Sequence, residues 1–366
     1  MKRDRWSLDP TSLRVTLGVL RHGPISRAEL GRMLGLSSAS LTRITEPLVR
    51  SGLLIEGAPQ PRSPGRPSLP LEIAAGAATF IGIKLARDAV YGALTDLKGT
   101  IMRSGSTPLH EATPEAVTAA IASLTDTLRG RRRPRAIGVS LAGTVAEDGL
   151  VRGTYLLGWA DPVDLAGPIG EATGMPVVID NDVNAFTVAE HWFGAGRGAD
   201  DFAVITLGAG VGMGLVCGDE LVRGHGGAAG MVGPVLLREG RPAWRAAGVP
   251  YVMEAAQALL GREVSPAELP TLALANPGLA ELLDDLADAT GELAGTVCSI
   301  TAPERILVAG EGAVLLAGRE ARVAARLADM GPYGLPAPAL IVEAVGDQEW
   351  ARGAAALAIR SRMRAS

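Results

Sequence analysis

Val204-Ile-Thr-Leu-Gly-Ala-Gly-Val-Gly-Met-Gly-Leu-Val-Cys-Gly218 is the stretch on which the fold of this chain turns. The pattern predicts an apolar strand, a tight glycine turn and a second strand, followed by the glycine-rich loop Gly224-His-Gly-Gly-Ala-Ala-Gly-Met-Val-Gly-Pro234. Gly208, Gly210, Gly212 and Gly214 let the backbone turn sharply and let its amides approach a ligand that a Cβ would keep away, which is the chemistry of a phosphate cradle. A glycine hairpin that serves packing alone is the alternative reading.

Strands and helices alternate on both sides of the hairpin, which predicts an α/β body. Residues 79–85, 89–95 and 100–107 read as a meander, and Thr113-Pro114-Glu115 opens a helix with Val117, Ile121, Leu124 and Leu128 on one face. Short buried strands at 136–141 and 176–179 lead to Asp180-Asn-Asp-Val-Asn184 and a helix to about residue 192. After the hairpin come helices near 251–260 and 279–301, a strand at 305–308 ending in Gly310-Glu-Gly312, a strand at 340–345 and a closing helix from about 348. The succession of meander, helix and strand near 79–143 recurs near 202–310, as an internal duplication with a cleft between two lobes would require.

At 366 residues the chain is too long for one compact core and divides into two or three domains. With 47% hydrophobic residues and a mean hydropathy of +0.23 it can bury large cores. No uncharged apolar stretch reaches the roughly 18 to 20 residues of a membrane span, and Met1-Lys-Arg-Asp-Arg-Trp6 is not followed by an apolar run. A cytoplasmic protein without membrane partners is the expectation. Cys217 and Cys298 each fall in an apolar element, as buried thiols do, and four scattered histidines make no metal-ligand spacing with them. Neither a metal nor a cofactor is expected.

The net charge of −4 is unevenly spread. Residues 1–70 hold eleven Lys or Arg against five Asp or Glu, a balance of +6, which leaves −10 on the rest. A basic module on an acidic body points to a polyanion partner for the module alone. Within it, Leu13, Val15, Leu17, Val19 and Leu20 predict an amphipathic helix that ends at Gly23-Pro24. Ser26-Arg-Ala-Glu29 has capping-box spacing and opens a second helix bearing Leu30, Met33 and Leu34. Gly35 stops that helix, and Ser37 or Ser38 caps a third through Leu41, Ile44, Leu48 and Val49. Ser37, Ser38, Ser40, Thr42 and Arg43 on its early positions suit a helix that lies in a DNA major groove. Residues 53–56 and 69–73 can pair as a β-ribbon, a wing whose tip carries Arg62 and Arg66 toward phosphate or the minor groove. A three-helix protein-interaction module is the alternative.

The chain resembles the ROK family of repressors and sugar kinases, in its transcription-factor branch. The residues that carry the resemblance are Gly138-Val-Ser-Leu-Ala-Gly143, Leu157-Gly-Trp159, Asn181-Asp182-Val-Asn184, the hairpin at 207–214 and Val308-Ala-Gly-Glu-Gly312. It implies a winged helix-turn-helix over 1–75 on a two-lobed actin-like, hexokinase-like body. The lobes are expected at 76–182 and 183–366, with the closing helix at 348–364 packing back on the first. The departures bear on activity. Where active relatives have Asp-x-Gly-x-Thr, this chain has Lys84-Leu-Ala-Arg-Asp88, and where they have Glu-x-Gly-His it has Met231-Val-Gly-Pro234. The family's cysteine zinc site has no counterpart in 238–253. Asp182 matches the family's general base and Glu254 a sugar-binding Glu, while Gly143 and Asn181 complete the effector-binding candidates. Gly208, Gly210, Gly212, Gly310 and Gly312 are the vestigial phosphate loops.

The resulting expectation is a sequence-specific DNA-binding repressor, not an enzyme, controlled by a sugar or related effector in the interlobe cleft and acting as a homodimer or homotetramer. An ATP-dependent sugar kinase with a DNA-binding head, and a DNA-binding protein with a ligand-independent dimerisation body, are the two rivals.

Overall fold

Short-range capping sets the first three helices of the computed structural model, which describes residues 8–59, 68–146, 148–154, 156–237, 240–331, 334 and 336–363. Asp9 accepts the amides of Thr11 and Ser12 and starts α1, Pro10–His22. The Ser26 hydroxyl accepts from Glu29 and starts α2, Arg27–Leu34, and that of Ser37 accepts from Ser40 and starts α3, Ser38–Arg50. Gly35, in the left-handed region at φ +67°, turns the chain between α2 and α3. Val15, Val19, Leu30, Leu41 and Leu48 are buried where the helices meet. Met33, expected on the apolar face of α2, is 45% exposed instead. The eight-residue helix buries only a narrow stripe at Leu30 and Gly31.

β1, Leu54–Glu56, pairs antiparallel with β2, Leu71–Ile73, with Ile55 opposite Glu72. Arg27 ties this ribbon to the helices: its Nε donates to Thr45 Oγ1 at 3.1 Å and its Nη2 to Glu56 at 2.6 Å. The wing tip, with Arg62 and Arg66, lies outside the described residues.

The first half of the body is built from β3 (Thr79–Leu85), β4 (Ala89–Asp96), β5 (Ile101–Pro108), α4 (Pro114–Arg129), β6 (Ile137–Leu141), the small ribbon of β7 (Thr144–Val145) with β8 (Val151–Arg152), α5 (Ala166–Thr173), β9 (Val177–Asn181) and α6 (Asp182–Phe193). Its sheet has the order β5-β4-β3-β6-β9, antiparallel through β3 and parallel from there to β9. Val117, Ile121, Leu124 and Leu128 of α4 are buried with Ile81, Ile83 and Val139 of the strands.

The second half repeats the plan. β10 (Phe202–Leu207), β11 (Val211–Cys217), β12 (Glu220–Leu221), α7 (Ala243–Ala247), α8 (Val249–Leu260), α9 (Leu269–Ala273), α10 (Pro277–Thr301), β13 (Arg305–Gly310), α11 (Glu320–Asp329) and β14 (Ala339–Ala344) follow in that order. The sheet runs β12-β11-β10-β13-β14, again antiparallel and then parallel. Leu279, Leu283, Leu286 and Leu293 of α10 form its main apolar contact with Ile205 and Val308. Two sheets of one strand order bear out the duplication read from the sequence.

α12, Asp347–Met363, closes the chain. The chain divides into one unit of Met1–Gly198 with Asp347–Ser366 and another of Ala199–Gly346, so the boundary falls after Gly198 and not at 182/183. The reason is close packing. Cβ atoms added to Gly82 of β3 and Gly138 of β6 would stand 1.9 Å from Ala351 O and 1.8 Å from Ala354 O, so α12 lies directly on the sheet backbone. Gly353 does the same toward α6, where a Cβ would be 2.9 Å from Phe186 N. With α12 and the sheet both holding it, α6 stays in the first unit.

Candidate functional site

The first unit gathers chemistry at the carboxyl ends of its parallel strands, the place where open α/β sheets bind ligands. Register sets Lys84 of β3 beside Ser140 of β6, and Leu141 beside Asn181 of β9. Lys84 Nζ forms an ion pair with Asp182, the first residue of α6, and lies 4.7 Å from the ring centre of Trp350 on α12. Both partners are largely buried, at 13% and 11% side-chain exposure. Trp350 in turn packs against Phe186 of α6 in a tilted arrangement, with ring centres 4.9 Å apart. Lys84, at the position where the family resemblance implies a phosphate-loop carboxylate, therefore pairs with Asp182. In a low-dielectric site a lysine so placed competes with a substrate hydroxyl for the Asp182 oxygen. Burial, together with Asp88 and Glu349, pushes the nearby Asp347 carboxyl upward, while Lys84 pulls it down.

Asn181 acts as the cap of α6. Its Oδ1 accepts the amides of Val183 and Asn184 at 2.9 and 3.1 Å, and its Nδ2 donates to Gly143 O at 3.0 Å. Gly143 is pinned there, because a Cβ would stand 2.8 Å from Thr154 Cγ2. Gly143, Asn181 and Asp182 thus come together. Trp159, from the Leu157-Gly-Trp motif, donates Nε1–H to Ala112 O.

Glu254 lies in the second unit, exposed on α8. In that unit the glycine hairpin has the expected form, with Gly212 opposite Thr206 and the Gly208 amide donating to Gly210 O. Its turn already holds an anion. Glu311 Oε1 accepts the Ala209 amide at 3.1 Å and would lie 2.5 Å from a Cβ on Gly208. Gly310 and Gly312 are positions of close approach, where a Cβ would meet Leu207 O at 2.4 and 3.0 Å. A carboxylate of the chain itself takes the amide that a phosphate cradle would offer. The sequence shows Glu311 inside Gly-Glu-Gly, but its partner is 102 positions away.

In the head, the reading-helix candidates divide by what they already bond. Ser37 Oγ caps α3 and donates to Ser40 Oγ at 3.0 Å, and Thr42 Oγ1 donates to Ser38 O at 3.0 Å. Ser38 and Arg43 are exposed, and Arg43 makes no ion pair among the described residues. Its guanidinium has the donors for bidentate contact with guanine. Among the described residues no group of His, Cys, Asp or Glu could hold a metal, and no helix is long and apolar enough to cross a membrane. Cys217 and Cys298 are free thiols, both raised by burial.

A winged helix-turn-helix joined to two repeated α/β units defines a helix-turn-helix protein on an actin-like body. The chain belongs to the ROK family, whose family model matches residues 80–361. It is 29% identical to the xylose repressor of Bacillus subtilis over 224 residues, 60% of this chain and 58% of the repressor. It is 33% identical to the glucokinase of Streptomyces coelicolor over 162 residues, 43% of this chain and 49% of the kinase. The chain thus spans about half to three fifths of the curated relatives it matches. A crystallised ROK family transcriptional regulator, a homologue of the E. coli Mlc protein, shares the fold with a TM-score of 0.75 at 21% identity, covering 96% of this chain and 97% of its own.

Proposed function

We propose that this protein is a cytoplasmic, sequence-specific DNA-binding transcriptional repressor whose body senses a small effector and does not phosphorylate it. The observation that carries the reading is α3: a helix following a left-handed glycine turn, presenting Ser38, Thr42 and Arg43 outward beside a β-ribbon. The relative named a xylose repressor supports it, and it suggests a sugar or sugar derivative as the effector. Gly143, Asn181 and Asp182 in the first unit, and Glu254 in the second, are the residues we assign to effector recognition. A homodimer, or a pair of chains within a homotetramer, would present two heads to a palindromic operator.

The test is selection of duplex DNA from a random pool by the purified protein, followed by affinity measurement over a range of salt. Arg43→Ala is expected to weaken binding to the selected sequence by about 10- to 100-fold while leaving random duplex nearly unchanged. Arg62→Ala should weaken both alike. Equal loss on both duplexes for Arg43→Ala would remove its base-reading role, and no selected sequence at any salt would remove the proposal.

The pairing of Asp182 with Lys84 and the filling of the Ala209 amide by Glu311 both support a non-catalytic body. Incubation with ATP, magnesium and a panel of hexoses and pentoses is therefore expected to give no sugar-dependent ADP release. Release that disappears in Asp182→Asn would restore the kinase.

A further inference from the structure

α6 ends in two different neighbourhoods. At its amino end stand the Asn181 cap and the Asp182 to Lys84 pair. About 18 Å along the helix axis, at 1.5 Å per residue, its carboxyl end runs into the turn Gly194-Ala-Gly-Arg-Gly198. That turn is built on Glu190. The Glu190 carbonyl accepts the amides of Gly194 and Gly196 at 3.0 Å, and its carboxylate accepts that of Ala195 at 3.0 Å while pairing with Arg352 of α12. The amide of Arg197 donates to Gly194 O at 3.0 Å. The backbone that carries the Arg197 side chain is thereby held to α6 and α12.

The guanidinium reaches out of the body into the head. Nε donates to Arg21 O, and Nη2 donates to Gly23 O at 2.5 Å. These carbonyls sit at the end of α1, where helix carbonyls lack partners within the helix and where a cation is favoured by the helix dipole. The same corner is stitched to the wing, since Ile25 and Leu71 exchange backbone hydrogen bonds at 3.1 and 2.8 Å. From it depart α2 and α3 on one side and the β-ribbon on the other. Arg197 therefore grips the corner where the end of α1, the start of α2 and the β-ribbon meet. Other ties between head and body among the described residues include Lys98 to Glu72 at 3.1 Å, exposed, the Leu97 amide to Ala75 O at 3.0 Å, and the Leu8 amide to Met363 O of α12 at 3.3 Å.

We propose that Arg197 is the positioning residue that latches the DNA-reading head to α6, so that a change at the Asp182 end of this helix reaches the head through it. The sequence places this residue in a glycine-rich loop of the body with no sign of a partner 174 and 176 positions earlier. The DNA half of the inference rests on the proposed function; the latch itself does not.

The experiment uses the full chain and two readouts. Amide hydrogen exchange of residues 19–25 and 71–73 should accelerate about tenfold in Arg197→Gln and less in Arg197→Lys, which keeps the charge but not the two-pronged donor geometry. The melting temperature of the body should stay within a degree or two, which separates the latch from a general loss of fold. Affinity for the selected duplex should fall about tenfold with an unchanged salt slope, because Arg197 is assigned no phosphate. Lys84→Met, which removes the pair at the far end of α6, should change exchange at 19–25 in the parent and not in Arg197→Gln. Unaltered exchange at 19–25 in Arg197→Gln overturns the latch, and a Lys84→Met effect that persists without Arg197 overturns the relay. A parent that selects no duplex defeats the DNA reading alone, since the exchange arm still decides the latch.

Discussion

Gly138→Ala is expected to cost about 3 kcal/mol, at the upper end for overpacking, because the added methyl would stand 1.8 Å from the Ala354 carbonyl oxygen. The obstacle is backbone on backbone. A flexible side chain could swing aside, but α12 must retreat as a body, and with it Ala351, Ala354, Ala355 and Ala358, all fully buried. For a unit of this size the loss corresponds to a fall in melting temperature of roughly 6 to 12 °C. Gly105→Ala on β5 is the control. Its Cβ would meet nothing nearer than Leu124 Cδ1 at 3.5 Å, and it should be neutral or stabilising by up to about 1 kcal/mol. Equal melting temperatures for parent and Gly138→Ala would refute direct seating of α12 on the sheet.

Glu190→Ala should be comparably damaging, at about 3 kcal/mol, for an electrostatic reason. Glu190 is 6% exposed and Arg352 20% at the side chain, so removal of the carboxylate leaves a guanidinium in a poorly solvated seam between α6 and α12. It also leaves the Ala195 amide without its acceptor. The double replacement Glu190→Leu with Arg352→Met removes both charges and fills similar space, and should recover a large part of the loss. Thermal melts of the two single variants and the double form the cycle. Strict additivity would mean that the pair does not act as a unit.

Both predictions concern α12, and the way that helix was legible shows where sequence reading stops. Its existence near 348 follows from composition, and its return to the first unit is implied by the family resemblance. Its seating does not follow from either. The head is the opposite case. Ser26 and Ser37 cap helices through bonds to amides three residues on, and the Leu41 and Leu48 periodicity needs no knowledge of the partner. The strand at Thr79–Leu85 was legible for the same reason, as an apolar run bounded by polar residues. α5, Ala166–Thr173, was not, since Gly167, Pro168 and Gly170 are poor interior helix residues and Ile169 is its one buried residue. α11 was missed although Val323 and Leu327, both buried, lie at helical spacing.

The candidate site divides along the same line. That Lys84 stands where the family resemblance implies a phosphate-loop carboxylate can be seen without coordinates. That Lys84 neutralises Asp182, 98 residues later, is a property of the sheet register and of α6 starting where β9 ends. The amino-acid sequence alone determined the winged helix-turn-helix, the duplicated α/β body and the absence of the kinase motifs, because caps, periodicity and motif residues act over a few positions. Only the tertiary structure decided which long-range pairs form at Asp182 and at the glycine hairpin and how the head is tied to α6. Register and close packing bring together charges that no spacing along the chain can relate.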